Sequence, residues 1–316
     1  MADATVSRLG QENGAGSATA IFLEVFSGMV LERYDFMQIT DGREVERKIA
    51  SGKSAQFPLV WSTTATSHTP GAEIVGKVIQ HNQKVISIEN LLYSDVFVDV
   101  LDEAMNHYEV RKSYAHQIGE ALANRKDQNA FRSIFTGAAA SHLIDTSGDN
   151  DGLPIQSANL STDPAVLKAA IYDAAQNLDE KNIPQSERFC AVRPLAFYLL
   201  LEDGEFIHRD YAGQGSKATA TMPFAADLQV LKSNNIPSAD DTAEATVPTV
   251  LRDDFRELVG LVWHGSAIGK VKLLDLSTEV GYDIRRQGTL LIGKYAMGQD
   301  FLRPEGCVSL EDTAIV

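Results

Sequence analysis

The sequence predicts an α+β fold on three observations. An unbroken helical stretch runs from His107 to Phe135, period-two segments typical of strands flank it, and an extended hairpin spans Gln56 to Ile79. Helices and strands do not alternate as regular β-α-β units, which argues against a doubly wound parallel sheet.

The first residues, 1 to about 17, are small and polar and predict a flexible arm. Ile21, Phe22, Val25, Phe26, Met29 and Val30 recur at helical spacing and predict a short amphipathic helix carried on it. The hairpin comes next. Gln56 to Trp61 leads out, His68-Thr69-Pro70-Gly71 turns, and Glu73 to Ile79 returns. A lone two-stranded ribbon is marginal in water, so Phe57, Val60, Trp61, Ile74, Val75 and Ile79 need cover. The segment reads as an arm built for a neighbouring subunit, with a hairpin folded back on its own domain as the alternative. Val85 to Glu89 and Asp95 to Val100 then alternate as half-buried strands do.

The long helix starts at Asn106, a capping residue with Glu109 three positions on, and Gly137 is its expected stop. Tyr114, Ile118, Ala121, Leu122, Phe131, Ile134 and Phe135 mark a narrow apolar stripe, while Arg111, Lys112, Glu120, Arg125, Lys126 and Asp127 are expected to stay wet. Such a rod suits a spine across a flat molecule better than the middle of a core. After a Gly, Asp, Asn and Ser-rich loop from Ser141 to Ser161, Asp163-Pro164 opens a helix that ends at Asn182-Ile-Pro. A strand at Arg188 to Val192, a helix at Pro194 to Leu201 and a strand at Leu228 to Leu231 follow. Ser238 to Thr249 is polar loop. Strands dominate from Glu257 onward, two of them flanking a Gln287-Gly288 turn.

Composition bounds the function. The 316 residues carry 28 basic and 43 acidic side chains, a net charge of -15 with no basic run, which disfavours gripping a phosphate backbone as the main task. Two distant cysteines, Cys190 and Cys307, are too few for a disulfide framework or metal cluster and are expected to be buried apolar residues. Neither a signal peptide nor a membrane span is legible.

Catalytic signatures are sparse. Gly52-Lys53-Ser54 ends like a phosphate-binding loop, but the first glycine is replaced by Arg47. His208-Arg209-Asp210 lacks the other parts of a kinase. Ser147, Asp149, Asp151 and Gly152 match part of a calcium loop whose twelfth position is Ala158 instead of Glu. His107 and His116, nine apart, fall on opposite helix faces and cannot share a metal. No Gly-x-Ser-x-Gly elbow occurs, so no catalytic residue, cofactor site or metal site is assigned.

The run Phe57-Pro58, His68 to Ile74, Ile88 to Leu92, Leu101 to Arg111 and Gly119 to Ala123 resembles the major capsid proteins of tailed phages, most closely the T-seven-like short-tailed group. Leu178 to Pro184, Ser233 to Pro237, and Gly298 with Leu302 to Glu305 agree with it, and the likeness spans about 20 to 310. The resemblance implies the HK-ninety-seven (Johnson) capsid fold. Residues 1–50 would be the N-terminal arm, 51–84 the E-loop, 85–150 with 270–316 the P-domain, and 151–269 the A-domain. It implies Phe57, Val60, Trp61, His68, Pro70, Ile74 and Val75 as subunit-contact residues, and Tyr114, Ile118, Leu122 and Phe131 as the spine helix.

The implied activity is self-assembly in the host cytoplasm into an icosahedral virion shell of hexamers and pentamers. That shell would enclose double-stranded DNA without binding it specifically. Because the chain begins close to the arm, a separate scaffolding protein is expected, together with a portal protein and, as a further class of partner, decoration proteins. Cofactor and membrane are not expected. An encapsulin-like compartment, and a nucleotide-binding enzyme using Gly52-Lys53-Ser54, are the alternatives. The E-loop lysines Lys53, Lys77 and Lys84 show no sign of an activated amine, so a noncovalent shell is expected.

Overall fold

The computed structural model describes residues 18–71, 73–99, 110–144, 148–203, 217, 219–220 and 222–314. The arm before residue 18, the Asn106 and Glu109 cap, His107, Ser147 and His208 to Asp210 lie outside the described residues.

The chain divides into two compact units. The first takes the segment through Gln38, Asn90–Asp127 and Leu274–Met297; the second takes Ile39–Glu89, Gln128–Leu273 and Gly298–Val316.

In the first unit, helix α1 (Ala18–Met37) covers the segment expected to be helical and continues about two turns past Val30. Its Phe26, Val30 and Tyr34 pack against Ala115, Ile118, Leu122 and Ala123 of helix α2 (Val110–Ala138), and against Leu291 and Tyr295. Gly119 makes that approach feasible, since a Cβ there would lie 2.7 Å from the Val30 carbonyl oxygen. Two strands serve the same core. β4 (Leu92–Asp99) pairs antiparallel with β11 (Gly288–Phe301), from Gly288 opposite Asp99 to Tyr295 opposite Leu92.

Two expectations for α2 are corrected. Lys126 and Asp127 are buried instead of wet. Lys126 donates to Gln38 Oε1, just past the end of α1, and lies 5.9 Å from the Tyr34 ring centroid, so these groups replace the solvent. Ala121, counted in the apolar stripe, is exposed. Nor does Gly137 stop the helix. It sits one residue before the end, where a Cβ would meet Phe301 Cβ at 2.8 Å and Cys307 Sγ at 2.9 Å. Space, and not a left-handed turn, is what this glycine provides.

The second unit is built on a six-stranded mixed sheet in the order β5 (Leu153–Ser157), β12 (Cys307–Asp312), β9 (Leu258–His264), β6 (Arg188–Val192), β8 (Leu228–Lys232), β7 (Phe224–Ala225). Alternation along β6 divides the two cores. Cys190 and Val192 face a layer made by helices α3 (Pro164–Glu180) and α4 (Pro194–Asp203), with Leu167, Ile171, Leu178, Phe197 and Leu200 inside. Phe189 and Ala191 face the other way, where Phe131, Ile134 and Phe135 of α2 pack with Phe255 and Trp263. The end of α2 is therefore buried on all sides from Ala130 to Phe135, which corrects the reading of the whole helix as a rod with one wet face. The Asp163 side chain caps α3 by accepting from the Ala165 N–H at 2.9 Å, as Asp-Pro at that position predicted. Cys190 and Cys307 are both buried free thiols, and burial pushes the Cys190 thiol up to about 12.

In the same unit, β1 (Val45–Lys48) runs parallel to the start of β10 (Ile268–Asp283). Beneath it, Lys270 Nζ is buried and bound by Glu44 at 2.6 Å, Asp41 at 3.1 Å and Glu46 at 3.1 Å.

Candidate functional site

The site is a hairpin of two strands, β2 (Ser54–Val60) and β3 (His81–Ser87), in antiparallel register from Ser54 opposite Ser87 to Val60 opposite His81. This corrects the expected partner. The returning strand is not Glu73 to Ile79 but the later segment, and Val85 to Ser87 belong to it instead of to a separate strand. Periodicity misled here because 73–79 is apolar without being paired. Between the strands the described residues, 61–71 and 73–80, form neither helix nor strand, and the Trp61 N–H still donates to the Gln80 carbonyl at 3.0 Å. Lys77 Nζ reaches back to the Thr64 carbonyl and hydroxyl, both at 2.9 Å.

The base of the hairpin is anchored in its own unit. Ala55, Phe57, Ile86 and Ile88 are buried. Lys84 Nζ binds Asp300 at 2.9 Å and sits 3.6 Å from the Phe301 ring centroid. Burial pushes the Asp300 carboxyl up from its ordinary range while the Lys84 ammonium pulls it down, and burial prevails. Phe57, expected at a subunit contact, is thus covered within the unit, with the Arg47 guanidinium 5.9 Å from its ring centroid.

At the far end of the ladder, both strands lean on one short segment. The Trp61 ring lies 4.5 Å from His142, centroid to centroid, and Asn82 Nδ2 donates to the Leu143 carbonyl at 2.5 Å. His142 is in turn fixed. Its Nε2 lies 3.4 Å from Glu305, its ring Nδ1 accepts from the Ile144 N–H at 3.2 Å, and its backbone N–H donates to Asp151 at 2.6 Å. The sequence gives no sign of this strut, because its partners are 61 and more residues away.

Beyond the strut the apolar side chains are open to solvent: Val60 is 64% exposed, Ile74 78%, Val75 80% and Val78 92%. His68 and Pro70 are also exposed. Of the expected contact residues, Val60, His68, Pro70, Ile74 and Val75 remain available, Phe57 and Trp61 are engaged internally, and Val78 had been missed although its spacing after Ile74 and Val75 was visible. Gly52-Lys53-Ser54 leads into β2 and not into a helix, and the Lys53 carbonyl accepts from the Ile88 N–H at 2.8 Å, so this is a strand entry and not a phosphate cradle.

The comparisons agree with this geometry. The family model of Gp10A-like major capsid proteins matches residues 56–311, and the chain belongs to that family. It is 32% identical over 324 residues to the major capsid protein of Enterobacteria phage T3, covering 94% of this chain and 92% of that one. With the major capsid protein of Escherichia phage T7 it shares 31% over 330 residues, 92% of this chain and 91% of the relative. Among solved structures, the capsid of Cyanophage P-SCSP1u superimposes with a TM-score of 0.78 at 33% identity over 99% of both chains. The mature capsid of bacteriophage PhiM1 gives 0.72 at 18% identity over 88% of both, a likeness of fold. The HK-ninety-seven capsid fold is thereby established, and with it the role of a major capsid protein of a tailed phage, a structural virion component and not an enzyme. A virus-like particle from Pyrococcus furiosus shares the fold at 13% identity and a TM-score of 0.58, a likeness of fold alone, and it is the family match and the phage relatives that do not favour the compartment alternative.

Proposed function

We propose that the chain closes an icosahedral head of hexamers and pentamers, with the hairpin as the E-loop that reaches a neighbouring subunit. In this reading 1–50 is the arm, 51–84 the E-loop, 85–150 with 270–316 the P-domain, and 151–269 the A-domain. The observation that carries it is the contrast along the hairpin: a buried, ion-paired base and a tip whose Val60, Ile74, Val75 and Val78 are exposed. Apolar side chains held out in water are stabilised by burial against a second copy, at about 25 cal/mol per Å² removed from water.

A separate scaffolding protein would order the subunits, a portal would occupy one vertex, and decoration proteins would bind outside. The net charge of -15 favours a wall that contains DNA without holding it. The test is assembly of purified protein with its scaffold, followed by electron microscopy. Closed shells are expected from the parent, and Val75→Ser with Val78→Ser should leave folded subunits that do not close. Monodisperse monomer from the parent at high concentration, scaffold present, sinks the reading.

A further inference from the structure

Antiparallel ladders alternate between residues that exchange hydrogen bonds and residues whose N–H and C=O point outward. Here the phase is fixed at both ends. Trp61 N–H to Gln80 at one end and Ile88 N–H to Lys53 at the other make 61/80 and 53/88 bonded pairs. The outward positions are therefore 54, 56, 58 and 60 on β2 and 81, 83, 85 and 87 on β3. A further strand would have to bond to these.

Each edge is interrupted at its outward positions. On β2, the Gln56 carbonyl accepts from the Arg47 guanidinium, and the next outward residue, Pro58, has no N–H to give. On β3, the Gln83 N–H donates to Asn82 Oδ1 at 2.8 Å, while Asn82 Nδ2 is held by Leu143, which fixes the amide in that orientation. At the base, Gly298 crowds the Ser87 carbonyl so closely that a Cβ on it would stand 2.5 Å from the oxygen. No two successive outward residues are left open on either edge. Only Ser54 and Val60 remain on β2, and only His81 and Val85 on β3.

We infer that this hairpin meets a second copy of the chain through the side chains of its tip, and that its two edges are closed against strand addition. The inference rests on the assembly reading above and specifies its mode. Proline and engaged backbone groups on an exposed edge prevent promiscuous pairing, a hazard for a protein made to high local concentration before it assembles.

Two variants test it. Val85→Pro deletes an outward N–H and no ladder bond, so its subunits should form shells at the parent's yield. His81→Pro makes the same test at a second position should Val85→Pro lower the thermal transition. Conversely, Arg47→Gln with Pro58→Thr reopens the β2 edge, and several-fold loss of soluble yield into thioflavin-binding aggregate is expected from subunits whose soluble fraction melts like the parent. Folded Val85→Pro or His81→Pro subunits that cannot assemble would overturn the inference, as would parent-like solubility of the reopened edge. The parent and the tip variant Val75→Ser with Val78→Ser separate the two ideas: a parent that never assembles fails the assembly reading, whereas a tip variant that assembles normally leaves the shell standing and overturns contact through the tip side chains.

Discussion

Lys270 shows how a residue that nothing in the sequence singles out becomes predictable once placed. Burial alone would push its ammonium down, but Glu44, then Asp41 and Glu46, outweigh that and hold it above its ordinary 10.5. Burial likewise pushes Glu46 up, and hydrogen bonds from Lys272 and Lys270 overcome it, holding the carboxyl below 4.5. A lysine raised on folding stabilises fully below 10.5 and loses that contribution as pH rises past its folded value. A glutamate lowered on folding stabilises fully above 4.5 and loses it as pH falls. Lys270→Ala removes the ammonium that the buried Glu44 carboxylate binds at 2.6 Å and should cost about 3–5 kcal/mol. Thermal melts of parent and variant should differ most, and evenly, between those limits, with the gap narrowing on either side; a gap that grows below pH 4.5 would contradict the assignment. Lys126 and Asp127 teach the same lesson from the other direction. Charged types on an exposed-looking helix face read as wet, and for Lys126 it is the arrival of Tyr34 from α1 and of Gln38 just after it that replaces the water.

At the scale of elements, type and existence were legible wherever the signal was local. Asp163-Pro164 predicted the start of α3, the alternation at Asp95 to Asp99 predicted β4, and the Gln287-Gly288 turn predicted the β10–β11 connection. What failed was pairing over distance. The return strand of the hairpin was placed at 73–79 because those residues are apolar, whereas the ladder closes at 81–87, where Ile86 can be buried and Lys84 can reach Asp300. The strut at the end of that ladder follows the same logic and is open to measurement. Trp61→Ala and His142→Ala should each lower subunit stability, and the double variant should cost less than their sum by about 1 kcal/mol, the coupling of a ring pair beyond its burial. Trp61→Phe should restore most of the coupling. Strict additivity would mean that Trp61 and His142 do not act together, and would return Trp61 to the subunit-contact residues.

For the whole molecule, the question is what holds the finished shell. An isopeptide crosslink needs a neutral lysine beside an amide carbonyl and a proton acceptor, in a site that discourages the charged form. The three lysines of the hairpin region meet none of these conditions together. Lys84 Nζ is held by Asp300 at 2.9 Å and lies 3.6 Å from the Phe301 ring centroid, two partners that fill its reach. Lys77 is tied to Thr64 on the exposed tip, and Lys53 is exposed at the strand entry. On the proposed reading, stability of the shell would come from many apolar contacts, those of the exposed Ile74, Val75 and Val78 among them, each individually small. Mature particles boiled in detergent should run as one band near 34.4 kDa. A ladder of multimers that survives reducing conditions would show covalent bonds between subunits, and replacing Lys53, Lys77 and Lys84 in turn would identify which amine forms them.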